Sequence, residues 1–175
     1  FKKMKSKNSL KILYIIIILL YVIKSQETEV IIMNIYYSEE SGNYTTNISN
    51  IRDENAIASA IYNKTYEKIG WDYLSILSYE KNDSKYNDTI KAYAMGYLEG
   101  VLTKDRIYDH YVNFDKYFLS QYKSQPRAIT EFYNIMLYNI QYMKEKALAN
   151  MDEDPYWEHV YYVYQQILGL YEGYI

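Results

Sequence analysis

From Ile129 onward, apolar side chains return every three or four positions. Ile129, Phe132, Tyr133, Met136, Ile140, Met143 and Ala147 form one stripe, which predicts an amphipathic helix with a face to bury. Asp154-Pro155 then reads as a helix start, a capping side chain followed by proline at the first helical position. Val160, Val163, Tyr164, Ile167 and Leu168 carry a second stripe behind it. Upstream, Asp88 reads as the cap of a helix running through Ala92, Tyr93, Met95, Gly96, Leu98 and Val101 to about Leu102, with Thr103–Arg106 starting another. Ala92, Ala94, Gly96 and Gly100 cluster small residues in that helix. Glycine costs helix propensity, and its expected justification is the close approach of another backbone. A chain helical from residue 88 to its end must find any sheet in its first half.

Val30 to Tyr37 is a short β-branched and aromatic run bounded by charge and by Ser38-Glu39-Glu40-Ser41-Gly42, which predicts a strand. Residues 53–68 place Ala56, Ala60, Tyr62 and Tyr66 near helical spacing behind Asp53, which predicts a helix. Gly70 punctuates. Trp71 to Tyr79 has apolar residues on both faces of an extended segment, Trp71, Tyr73, Leu77 and Tyr79 on one and Leu74 and Ile76 on the other. That pattern suits a strand covered on both sides in a layered fold. The polar stretches 38–50 and 80–88 read as surface loops.

Hydrophobic residues make up 49% of the 175, charged ones 23%, and the formal charge is −3. Such a chain can build a real core, is too apolar for disorder, and is too weakly basic for nucleic acid. Lys2, Lys3, Lys5, Lys7 and Lys11 precede an apolar run from Ile12 to Ile23. Twelve helical residues span about 18 Å, short of the ~30 Å hydrocarbon core, so residues 1–25 read as a cleaved secretory signal peptide, with an uncleaved anchor as the alternative. Residues 26–175 are then the domain. Its removal takes six lysines and no acid, leaving 13 basic and 22 acidic residues and a net charge of −9. N-glycosylation sequons begin at Asn43, Asn47, Asn63, Asn82 and Asn87, where chance predicts roughly one or two. An exported glycoprotein, secreted or lysosomal, is the expectation.

Local motifs supply little chemistry. There is no Cys, which excludes a disulfide scaffold, a thiolate metal site and a thiol nucleophile within these residues. With two His, His110 and His159, a multi-histidine metal site is hard to build. Each has carboxylates nearby, Asp105 and Asp109 or Asp154 and Glu158, and each reads more simply as a solvated surface residue than as a general base. Asp152-Glu153-Asp154 lacks the spacing of a calcium loop and suits a helix N-terminus. No nucleophile elbow or phosphate-cradling glycine loop is present, and neither metal nor cofactor is expected. The 25 tyrosines read as core and half-buried filling.

Five phrases, in order, resemble the phospholipase B-like (lamina ancestor) family. They are Ile69-Gly70-Trp71-Asp72-Tyr73-Leu74-Ser75-Ile76, the stretch from Ala92 to Thr103, Ile107 through Asn113, Asp154-Pro155-Tyr156-Trp157, and Gln165 through Tyr174. The resemblance covers about residue 28 to the end and corresponds to the family's N-terminal part. It implies an α+β fold, the helix-rich and incomplete N-terminal part of an N-terminal-nucleophile hydrolase with a four-layer αββα sandwich. It implies hydrolysis of ester or amide bonds, with phospholipid deacylation the usual assignment, by a Cys freed through internal cleavage. That Cys would lie outside this chain, so no catalytic residue is assigned here. The expected partners are the C-terminal remainder of the same precursor and a lipid or amide substrate. The resemblance also gives structural roles: Trp71, behind Gly70, packing within a sheet, and Gly96 and Gly100 permitting close helix packing. The rival reading is a secreted, non-enzymatic helical interaction module using the tyrosine-rich face of residues 154–175.

Overall fold

The computed structural model describes residues 29–79 and 86–175, with Leu13, Tyr14 and Ile16. Most of the expected signal peptide, the sequon at Asn82 and most of the 80–88 loop lie outside the described residues. The chain divides into two compact units, Ile31–Tyr62 with Leu74–Ile175, and Phe1–Val30 with Asn63–Tyr73. The architecture is α+β, a four-stranded sheet of order β2-β1-β3-β4 followed by long helices.

In the larger unit, β1 (Glu29–Ser38) is the expected first strand. It turns through Gly42, at φ +68°, into β2 (Asn43–Ser49), which pairs with it antiparallel. The stretch 38–50 is therefore a hairpin rather than a loop. Its strand reads as polar because β2 is a sheet edge, and only Tyr44 of β2, opposite Tyr37, joins the core. β3 (Ala58–Lys64) replaces most of the helix expected over 53–68. Ala58 and Ala60 are fully buried and Tyr62 nearly so. Spacing by two residues serves a central strand as readily as a helical reading, and small side chains let a helix lie close above it. β4 (Tyr73–Ser78) is the strand expected over 71–79, but only one face is covered: Leu74 and Ile76 join the core while Ser75 and Leu77 are exposed.

In the smaller unit, α1 (Tyr66–Ile69) is a single turn. Gly70, at φ +81°, ends it by donating its N–H to the Tyr66 carbonyl at 2.7 Å, the left-handed cap that glycine adopts without strain. Asp72 Oδ1 accepts from the backbone N–H groups of Thr65 and Tyr66 at 2.8 and 2.7 Å. Trp71 does not pack within a sheet: it lies ahead of β4 and is 74% exposed.

α2 (Asp88–Phe114) is one continuous helix across the expected break. Asn87, not Asp88, is its N-cap, accepting from Ile90 N at 3.0 Å. Asp88 instead pairs with the buried Lys91 at 3.0 Å. Thr103 starts nothing because its hydroxyl bonds the Glu99 carbonyl at 2.7 Å inside the helix. A π-helical turn (Asp115–Leu119) and α3 (Ser120–Tyr122) lead to α4 (Pro126–Asn150) and α5 (Pro155–Tyr174). Asp154 caps α5 as expected, accepting from Tyr156 N at 2.9 Å.

α2 is buried on two sides. Ala94, Leu98 and Leu102 meet Met33, Ile35, Ala58 and Ala60 of the sheet in the main core. On the other side Gly96 and Gly100 face α5, where added Cβ atoms would overlap the carbonyls of Gln166 and Leu170. Gly169 and Gly173 of α5 reciprocate against the Tyr93 and Tyr97 carbonyls. The two backbones thus lie in direct contact. Among the described residues, no helix is long and apolar enough to cross a membrane.

Candidate functional site

Alternation along β1 turns Met33, Ile35 and Tyr37 toward α2 and sends Asn34 and Tyr36 to the sheet's other face. The polar chemistry gathers there, where side-chain bonds tie down the connection from β2 to β3. Asn34 is 1% exposed; its Oδ1 accepts from Ser59 Oγ at 2.5 Å and Asp53 N at 3.0 Å, and its Nδ2 donates to the Ile51 carbonyl at 3.2 Å. Three bonds satisfy an amide that would otherwise be costly to bury. Tyr36 OH donates to Asp53 Oδ2 at 2.7 Å, and that bond raises the phenol's pKa above its ordinary value. Asp53 Oδ1 accepts from the backbone and side chain of Asn55 at 2.8 and 3.0 Å. Arg52 reaches β4, its Nη2 donating to the Ser75 carbonyl at 3.0 Å and to Ser75 Oγ at 2.8 Å.

A second polar cluster joins the hairpin to the helix pair. Tyr37, Tyr44, Tyr93 and Tyr97 follow one another with ring centroids 4.8, 4.5 and 6.4 Å apart. Tyr93 OH donates to Glu172 Oε2 at 2.5 Å. Burial, then the charges of Tyr37 and Glu172, push Tyr44 up to about 12. Tyr93 is raised further, by burial first and by its bond to Glu172 second. Other tyrosines depart from the expected core filling: Tyr117, Tyr138 and Tyr156 are largely exposed. A third feature is an apolar cavity of about 250 Å³ between α4 and α5, lined by Ile140, Met143, Val160, Val163 and Ile167 with Tyr156, His159 and Tyr164.

These arrangements bind and brace, and among the described residues they bring no nucleophile to a base. The Ser59 hydroxyl is sealed and committed to Asn34, and that of Ser75 accepts from Arg52. His159 Nδ1 lies 2.8 Å from the Pro155 carbonyl in its own helix, while Glu158 turns to Tyr162. His110 is exposed, and its neighbour Asp109 pairs with Arg106 at 2.8 Å. No described group of three or more His, Asp or Glu is placed to hold a metal ion. Of the sequons, Asn43 and Asn47 are exposed on β2, Asn87 caps α2, and Asn63 sits half-buried on β3, its Oδ1 without a partner among the described residues.

Residues 58–175 match the phospholipase B family model. The chain belongs to the phospholipase B family. It is 32% identical over 145 residues to phospholipase B-like protein B of Dictyostelium discoideum, covering 82% of this chain and 23% of that protein. It is 30% identical over 129 residues to human phospholipase B-like 1, covering 74% and 22%. It is 27% identical over 160 residues to phospholipase B of Crotalus adamanteus, covering 90% and 27%. The chain thus spans about a quarter of the length of the curated relatives it matches.

The geometry gives the phospholipase B phrases physical content. The stretch Ala92 to Thr103 and the stretch Gln165 to Tyr174 are the two sides of one helix contact, each supplying two glycines four residues apart. Reading the sequence marked Gly96 and Gly100 for close packing but missed Gly169 and Gly173. The signal was present, since both pairs share one spacing. Asn34 and Arg52 were also missed, and no local pattern sets them apart from ordinary strand and loop residues.

Proposed function

We propose that this chain forms the N-terminal structural part of a phospholipase B-like hydrolase of carboxylic ester or amide bonds, with phospholipid deacylation the leading activity. The family match over residues 58–175 carries the reading. In it, the nucleophile is a Cys of the same precursor lying outside these residues, freed by internal cleavage, whose own α-amine serves as base. The chain's contribution is a scaffold: a sheet backed by α2 on one face, with the other face and the α4 stripe available to the remainder. Export through residues 1–25 and glycans at the exposed Asn43 and Asn47 belong to the same reading. Two observations support the division of labour. The chain holds no Cys, and Ser59, Ser75 and His159 are each engaged by a separate partner.

The test compares this chain with a longer product of the same reading frame on phospholipid vesicles. Deacylation is expected only from the longer product, and it should vanish when its downstream Cys is replaced by Ala. Turnover by residues 26–175 alone would overturn the placement of the chemistry.

A further inference from the structure

The chain has three arginines, and two of them are paired within their own helices. Arg106 lies 2.8 Å from Asp109 and Arg127 lies 2.8 Å from Glu131. Arg52 differs. The carboxylate next to it, Asp53, is turned to Tyr36 and Asn55, and Arg52 has no carboxylate partner among the described residues. Its fork is held in place from one side only, by the two oxygens of Ser75 on Nη2. Its Nε is buried and has no acceptor among the described residues. An unmade hydrogen bond on a desolvated N–H is costly, and a charged acceptor is its strongest remedy. Meanwhile Ser75 and Leu77 leave this face of β4 open beside the fork.

We infer that Arg52 is an oxyanion-binding residue on the open face of the sheet, its ligand a phosphate or carboxylate group held side-on by Nε–H and Nη2. The anion supplies the acceptor that Nε lacks, and Ser75 Oγ, a freely rotating hydroxyl, gives way to admit it while the Ser75 carbonyl keeps the fork in position. Arginine suits this task because its planar donors match both oxyanions in a bidentate geometry that lysine cannot reproduce. The site is independent of the hydrolase reading, since it needs only the sheet face and the β2–β3 connection.

The test follows the arginine Nε–H cross-peaks of the full, isotopically labelled chain by NMR, where Arg52→Lys identifies the Arg52 signal by its loss. Inorganic phosphate, sodium acetate and sodium chloride are titrated separately at matched ionic strength. The expected result is a saturable shift of the Arg52 peak alone with phosphate. An equal response to acetate supports the site and makes a protein carboxylate as good an occupant as a phosphate, whereas a response to phosphate only makes the site phosphate-selective. Chloride producing the same movement, all three arginines moving together, or no movement would overturn it. Thermal melts give a second readout: phosphate should raise Tm for the wild type and for Arg106→Lys, and the rise should disappear in Arg52→Lys. An undiminished rise in Arg52→Lys contradicts the assignment.

Discussion

α2 and α4 are helices of similar length with similar apolar periodicity, yet they end in opposite situations. α2 is covered on both sides, by the sheet through Ala94, Leu98 and Leu102 and by α5 through Gly96 and Gly100. α4 buries only Ala147 fully, and Phe132, Tyr133 and Met136 of its stripe are exposed, at 37%, 46% and 48%. Periodicity records that a helix has a face to bury; it does not record what does the burying. Where the partner lies within the chain, small residues mark the contact. Where no such contact is made, the stripe stands open. The two helices therefore separate a closed seam from an open stripe.

The sharpest way to break this contrast is Gly96→Ala. The new methyl group meets the Gln166 backbone, which cannot rotate away. Overpacking of this kind costs roughly 1–3 kcal/mol and sometimes more, while alanine's better helix propensity offsets about 1 kcal/mol. Because the obstacle is backbone, the upper end of that range applies, and after the offset a net loss of about 2 kcal/mol is expected in urea denaturation. Adding Gly169→Ala should cost less than it does alone, because the helices are already apart. A neutral or stabilising Gly96→Ala would remove the close contact from the account.

Tyr93→Phe should cost about 1 kcal/mol near neutral pH through loss of the bond to Glu172. Its pH dependence is more informative. Burial, ahead of the neighbouring charges, lifts Tyr44 to about 12, and burial and Glu172 lift Tyr93 too, whereas unfolded tyrosines ionise near about 10. Below that value both states hold their protons and the contribution is fully present. Above it the unfolded chain binds fewer protons than the folded one, so stability falls as pH rises toward the folded values. Denaturation midpoints followed from neutral pH into the alkaline range should decline, and Tyr93→Phe should flatten part of that decline. An identical slope in both proteins would show that Tyr93 does not hold its proton as described.

The smallest effect should come from α4. Ile135→Ala is expected to change stability by no more than about 0.5 kcal/mol, as for other exposed positions. The same substitution should cost several-fold more in any longer product that covers Ile135. A large loss in this chain would mean that the face is already covered.

Much of this fold was legible in local pattern. The strands at 30–37 and 71–79 and the helices after Pro126 and Pro155 follow from alternation, helical spacing and capping chemistry, and these signals act within a turn or a strand. The errors came where a distant partner decides. Ala56, Ala60 and Tyr62 suit a helix on spacing alone, and the segment becomes β3 because Ala58 and Ala60 fit beneath α2. Asn43–Ser49 looks like a polar loop because an edge strand needs few apolar residues, and its register is set through β1. Trp71 was expected inside a sheet and is exposed. Of the candidate site residues, Gly96 and Gly100 were readable because glycine inside a helix asks for a reason. Arg52 was not, because its character comes from having no carboxylate partner among the described residues, which only the folded arrangement reveals.

Hydrogen–deuterium exchange of the full chain, read by mass spectrometry, compares the two helices in one experiment. Slow exchange is predicted for residues 93–102 and 166–174, where α2 and α5 lie backbone to backbone, and fast exchange for residues 130–142 of α4. Protection of 130–142 equal to that of 93–102 would contradict the division between a closed seam and an open stripe.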